Sequence, residues 1–172
     1  MGPTRMHLSK PVTAAVTGCC ATGGLGMAPW RDPRVADETL VFGVFRRRFG
    51  VPLIEGGTVR LPPLIGQSHA MDMALTGRAV AADEALRMGL ADHVAPAGEA
   101  VSRARELAEQ LAGQPGTSLG GDRLSVLEQR EMSESEAILD ELGQGERALS
   151  SGETARGALR FRDGQGRHGG SE

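Results

Sequence analysis

Few residues in this 172-residue sequence combine reactivity with a spacing that chemistry could use. Cys19 and Cys20 are neighbours, so they cannot tie distant segments together, and they match no zinc-ligand spacing. A nucleophilic thiol needs a histidine base, and the spacing of His7, His69 and His93 places none beside them. No metal set follows from the histidines and cysteines. Gly24-Leu25-Gly26 begins like a dinucleotide fingerprint, but Met27-Ala28-Pro29 follows where a third glycine is required. Gly23 and Gly24 suit another purpose: a glycine lets a ligand approach the backbone, and a following helix N-terminus favours negative charge. A plain strand-to-helix turn would use the same pair. The run Arg46-Arg47-Arg48, flanked by Phe45 and Phe49, is too short to track a phosphate backbone and reads as a solvated face.

The elements that would position these residues begin with Pro11 to Val16, a short β-branched and alanine run that reads as a buried strand ending at Gly18. Leu25 to Trp30 is apolar enough for a buried helix, weakened by Gly26 and Pro29. Val35 and Thr39 to Phe42 suit further short strands, the latter closed by Gly43. From Arg46 to Gly66 the breakers Gly50, Pro52, Gly56, Gly57, Pro62 and Pro63 predict a structured loop. Beyond it, Ser68 can cap a helix through Leu75, stopped by Gly77, and Asp83 to Met88 is a second, stopped by Gly89. Glu99 to Ala112 carries Val101, Ala104, Leu107, Ala108 and Leu111 on one helical face. Gly113 to Gly121 reads as a linker before helical pattern returns through Leu124 and Leu127. Ser133 with Glu136 is a capping-box signature leading into Ile138, Leu139 and Leu142. The organisation is therefore a core over 1–112, a helical region over 113–162, for which the family resemblance described below implies an oligomerisation role, and a flexible Gly-rich tail over 163–172.

Composition bounds the reading. With 40% hydrophobic and 24% charged residues the chain suits one globular domain, and 25 glycines and 9 prolines point to many loops. The net charge is -3, so nucleic acid is not an expected partner. The sign is uneven: residues 1–60 hold eight basic and four acidic groups, and the remainder eleven and eighteen. Pro11 to Trp30 lacks Asp, Glu, Lys, Arg and His, but four glycines, three threonines and two prolines interrupt it, so no membrane span is expected. Adjacent free cysteines suit a reducing cytoplasm.

The order of short motifs is more specific than any of these. Lys10-Pro11-Val12 to Gly18, Gly23-Gly24, Asp32 with Arg34-Val35, Phe42-Gly43 and Gly56-Gly57-Thr58-Val59-Arg60-Leu61-Pro62 follow one another, and Leu64-Ile65-Gly66, Leu75-Thr76-Gly77-Arg78 and Glu84 to Asp92 complete the series. Together they resemble the enoyl-CoA hydratase/isomerase (crotonase) superfamily, without a gap between Gly18 and Gly89. The resemblance implies an α/β fold, here a partial crotonase-type ββα spiral with C-terminal helices that build trimers or hexamers. It implies acyl-CoA thioesters of fatty-acid metabolism as substrates, with coenzyme A carried by the substrate and no separate cofactor. Gly23 matches a backbone N–H donor of the family's oxyanion hole, which holds the thioester oxygen as it becomes an enolate. Cys19, Ala21, Gly23 and Arg46 match substrate-binding positions, the cysteines as small apolar packing.

Three departures accompany the likeness. The chain starts nine residues before Lys10, so the family's preceding portion, with the other oxyanion donor and most of the CoA surface, is expected to be missing. The two catalytic glutamates match Gly26 and Arg46; glycine has no proton to move and arginine stays protonated, so hydration is expected to be impaired. Gly26 and Pro29 weaken the helix behind Gly23. Glu55, beside Gly56-Gly57, is the one carboxylate on the family's active-site loop and the candidate base; a surface glutamate is the alternative. Arg46 could bind an anionic acyl group, as in a dicarboxyl thioester, or face solvent. Function then divides between an impaired enzyme, a non-catalytic acyl-CoA-binding or oligomer-assembly module, and a gene fragment.

Overall fold

A computed structural model describes residues 2–165. They divide into one unit ending at Leu111 and a second beginning at Ala112. In the first unit, β1 (Ala14–Val16), β3 (Arg34–Asp37) and β6 (His93–Ala95) form a parallel sheet in the order β1-β3-β6. A second sheet has the order β2 (Cys19–Ala21), β4 (Val41–Gly43) and β5 (Ala79–Ala81), with β2 and β4 parallel and β5 antiparallel. The chain thus places one strand in each sheet, adds a helical segment and repeats. Ala15 lies opposite Val35 in one sheet and Cys20 opposite Phe42 in the other, so successive turns of a spiral stack in register. The central strand β3 is buried at all four positions, as a strand flanked on both edges requires.

Polar side chains fix the path between turns. Asp32 accepts a hydrogen bond from the Val12 N–H at 2.7 Å. Buried Arg34 donates to the carbonyls of Leu90 and Asp32 and to the Asp92 carboxylate, which also accepts the Arg34 N–H at 2.7 Å. Buried Asp37 accepts from the Gly98 and Thr39 N–H groups and the Thr39 hydroxyl, and those bonds hold its carboxyl below the usual carboxylate range. The core of this unit is Leu25, Leu40, Phe42, Val44, Leu61, Met73, Val80 and Leu90.

Between Arg46 and Gly66 the predicted loop is present only over residues 50–56. Phe45–Phe49 is a 3-10 turn, and a helix, α2 (Gly57–Thr76), starts at Gly57 and carries Pro62 and Pro63 inside it. Gly57, Leu61 and Ile65 are buried at a spacing of four, so one packed face outweighs two missing N–H donors. The helix kinks at Gly66, whose φ of 77° and ψ of 153° only glycine adopts readily. The helix predicted from Ser68 is the part beyond that kink. The weak helix near Gly26 is present as α1 (Gly23–Met27), followed by a 3-10 turn, Ala28–Trp30.

The remaining helices of the first unit are α3 (Ala82–Met88) and α4 (Ala100–Ala112). On α4 the buried residues are Ala100 and Ala104, while Val101 is 59% exposed and Ala108 is exposed, so the stripe read from the sequence is rotated. The second unit packs α5 (Gly116–Glu128) against α6 (Glu134–Ser150), followed by α7 (Glu153–Arg162). Its first helix corrects the predicted linker, because α5 already begins at Gly116 and buries Gly121 against Gln144. The Ser133–Glu136 capping box is formed in both directions. Of the tail predicted from Asp163, residues 166–172 lie outside the described residues.

Candidate active site

Gly23 opens α1 immediately after the edge strand β2, and a side chain there would meet nothing within 4 Å. Packing within the chain therefore does not demand a glycine at this position. Thr22, just before it, has φ 53° and ψ −118°, and it is the one described non-glycine residue with positive φ. Such backbone strain concentrates at functional turns. Sequence reasoning missed Thr22, since nothing in a threonine's type signals a left-handed backbone.

Arg46, read from the sequence as part of a solvated run, is 6% exposed, whereas Arg47 and Arg48 are exposed. The 3-10 turn after β4 rotates one arginine of three inward. Its Nη2 donates to the Thr22 carbonyl at 3.4 Å and to Glu55 Oε2 at 2.5 Å. The Thr22 carbonyl belongs to the peptide that carries the Gly23 N–H, so Arg46 holds the other end of the proposed donor group. Arg46 Nε is buried without a hydrogen-bond partner among the described residues.

Glu55 comes from the segment before α2. The Arg46 hydrogen bond is the main cause of a carboxyl held below its ordinary 4.5, with burial opposing it and the Ile54 N–H assisting. Its carbonyl accepts from Arg60 Nη1 at 3.2 Å, which anchors the backbone. A side chain built on Gly26 would place its Cβ 2.4 Å from Glu55 Cβ and 2.9 Å from the Glu55 carbonyl oxygen. The space beside Gly26 is thus filled by Glu55, and Gly26, Arg46 and Glu55 form one packed, charge-paired group. An ionised carboxylate on a permanent cation can accept a proton but has none to donate near neutral pH.

Cys20 is buried, and burial together with Cys19 raises its thiol to about 12, so it packs rather than reacts. Its sulfur would lie 3.1 Å from a Cβ built on Gly24. Cys19 is exposed on β2, and Ala21, half-buried, pairs with Gly43. Cys19, Ala21 and Gly23 therefore share one strand and its exit. Among the described residues no group of three His, Cys, Asp or Glu is placed to hold a metal, and no helix is long and apolar enough to cross a membrane.

A cavity of about 510 Å³ in the second unit is lined by Gly113, Pro115, Gly116, Glu153, Arg156 and Arg160, among others, and Cys19, Ala21, Gly23, Arg46 and Glu55 are not in its lining. Its carboxylate is engaged: Glu153 accepts from the Thr117 N–H and hydroxyl and from the Ser118 N–H, capping α5. That cavity has no group free for acid-base work on this account.

The sequence profile described as enoyl-CoA hydratase/isomerase matches residues 5–163. Enoyl-CoA hydratase EchA19 of Mycobacterium tuberculosis is 33% identical over 167 residues, 93% of this chain and 63% of that protein. Carnitinyl-CoA dehydratase of Salmonella paratyphi A is 39% identical over 104 residues, 60% of this chain and 40% of that protein. The crystal structure of enoyl-CoA hydratase EchA1 from Mycobacterium marinum superposes with a TM-score of 0.90 at 28% identity, covering 94% of this chain and 64% of that one. The chain thus spans less than two thirds of the length of these relatives. A profile match over most of the residues, and the same spiral of paired strands and helices, place this chain in the enoyl-CoA hydratase/isomerase (crotonase) family.

Proposed function

We propose that the chain acts on acyl-CoA thioesters of fatty-acid metabolism, as an enolising member of its family rather than a competent hydratase. The observation that carries this reading is the group Gly26, Arg46 and Glu55, which offers one carboxylate where two-carboxylate hydration needs both a base and an acid. The Gly23 N–H would donate a hydrogen bond to the thioester oxygen as negative charge develops on it. Glu55 would take a proton from the carbon next to the thioester and return it, to the same carbon or, in an unsaturated chain, two carbons further along. Electrons then move from the C–H bond into the enolate and back, so one base suffices. Family likeness further supports a cytoplasmic homo-trimer or hexamer.

The test is exchange of deuterium from C2 of labelled butyryl-CoA into water. We expect exchange above the uncatalysed rate, reduced about 10²-fold or more in Glu55→Gln. Exchange equal to the blank, or indifferent to Glu55, overturns the enzymatic reading. A non-catalytic acyl-CoA-binding module is the second reading, and it draws on the same ion pair: Arg46 lowers the basicity of Glu55.

A further inference from the structure

Arg46 has a hydrogen-bonding demand that the described residues do not meet. Its guanidinium cannot shed its charge, and its side chain is 5% exposed, so it requires an anion. Nε and Nη2 lie on one edge of the guanidinium and match the two oxygens of a carboxylate. Only half of that edge is used: Nη2 meets Glu55, and buried Nε meets nothing among the described residues.

Glu55 is poorly placed to use both oxygens. Its contacts to Arg46 and to the Ile54 N–H both fall on Oε2. Its Cβ is packed beside Gly26 and its carbonyl accepts from Arg60, so its backbone is restrained at both points while Oε1 makes no contact with Nε. Its side chain remains 20% exposed, which leaves a route by which the carboxylate can rotate into water. A carboxylate on a flexible ligand lacks the backbone restraint. Arg46 also touches the Thr22 carbonyl, on the peptide that presents the Gly23 N–H.

We infer that Arg46 receives the free carboxylate of a dicarboxylic acyl-CoA, which binds the Nε and Nη2 edge in two-pronged fashion and displaces Glu55. This rests on the acyl-CoA reading above and adds the substrate class. Displacement also separates Glu55 from the cation that weakens it as a base, so the diacid prepares the group that would act on it.

Calorimetric titration of the full chain with matched pairs tests this: glutaryl-CoA against valeryl-CoA, and adipyl-CoA against hexanoyl-CoA. At least one diacid thioester is expected to bind about tenfold or more tightly than its match, the usual strength of a charged hydrogen-bonded pair. Glu55→Gln, which removes the competing anion, should raise that ratio. Arg46→Gln with Glu55→Gln, which leaves no buried ion unpaired, should bring it to about one. Equal binding within both pairs overturns the inference while leaving acyl-CoA binding intact, and so does a preference that survives the double variant. If the double variant does not fold, a ratio that fails to rise in Glu55→Gln overturns it instead. Binding of none of the four overturns the acyl-CoA reading itself.

Discussion

At Gly26 the absence of a side chain is a packing requirement as much as a loss of chemistry. Because Glu55 fills the adjoining space, Gly26→Glu with Arg46→Glu should not rebuild a hydratase. The new Cβ would overlap Glu55 Cβ and approach its carbonyl oxygen, and the second change removes the cation that neutralises Glu55. We expect this double variant to lose about 1–3 kcal/mol from overpacking, with more from carboxylate repulsion. Adding Glu55→Gly should recover part of the loss, since it removes the closer contact and leaves the carbonyl. Differential scanning calorimetry of the three proteins checks the order; a double variant as stable as the parent would show that the segment bearing Glu55 moves aside freely. The family's other motif residues have a different role. Asp32, Arg34, Asp92, Arg78 and Glu84 hold backbone carbonyls, N–H groups or one another, and so brace the spiral.

At the scale of elements, α2 shows how packing prevails over local preference. Two prolines within a helix would ordinarily end it, yet the buried residues Gly57, Leu61 and Ile65 hold its first half and Ala70 and Met73 its second. Gly66 permits the change of direction between them. Gly66→Ala is expected to cost about 1–3 kcal/mol, the usual range for forcing a side chain into sparsely populated backbone space. No atom lies within 4 Å of where its Cβ would be, so the loss would come from the backbone alone. Urea denaturation measures it; an unchanged midpoint would mean that the kink relaxes into continuous helix. The edge strand β2 and the short helix α1 place Gly23 with the help of strain at Thr22 and a contact from Arg46 in the turn after β4.

For the whole molecule, the second unit leaves Ile138, Leu139, Leu142 and Leu149 of α6 between 58% and 67% exposed, with Val126 of α5 at 62%. Side chains of this kind on one helix mark an association surface. If the proposed trimer or hexamer forms, sedimentation of the full chain should show it, and Leu139→Asp with Leu142→Asp should shift the distribution toward monomer while α6 keeps its helicity. A parent chain that sediments only as monomer would remove the assembly proposal.

The order of short motifs was enough to fix the family and the α/β spiral, because several motifs must coincide in one order and spacing along the chain. That neither Gly26 nor Arg46 can serve as a carboxylate acid or base follows from side-chain chemistry alone. The capping box at Ser133 was legible because both partners lie within one helical turn. The helix through Pro62 and Pro63 was not legible, since its support comes from residues distant in the chain. Nor was the inward turn of Arg46, its unmet Nε or its pairing with Glu55 beside Gly26. Those depend on which side chains meet after the strands and loops have stacked, and only the tertiary structure decides that.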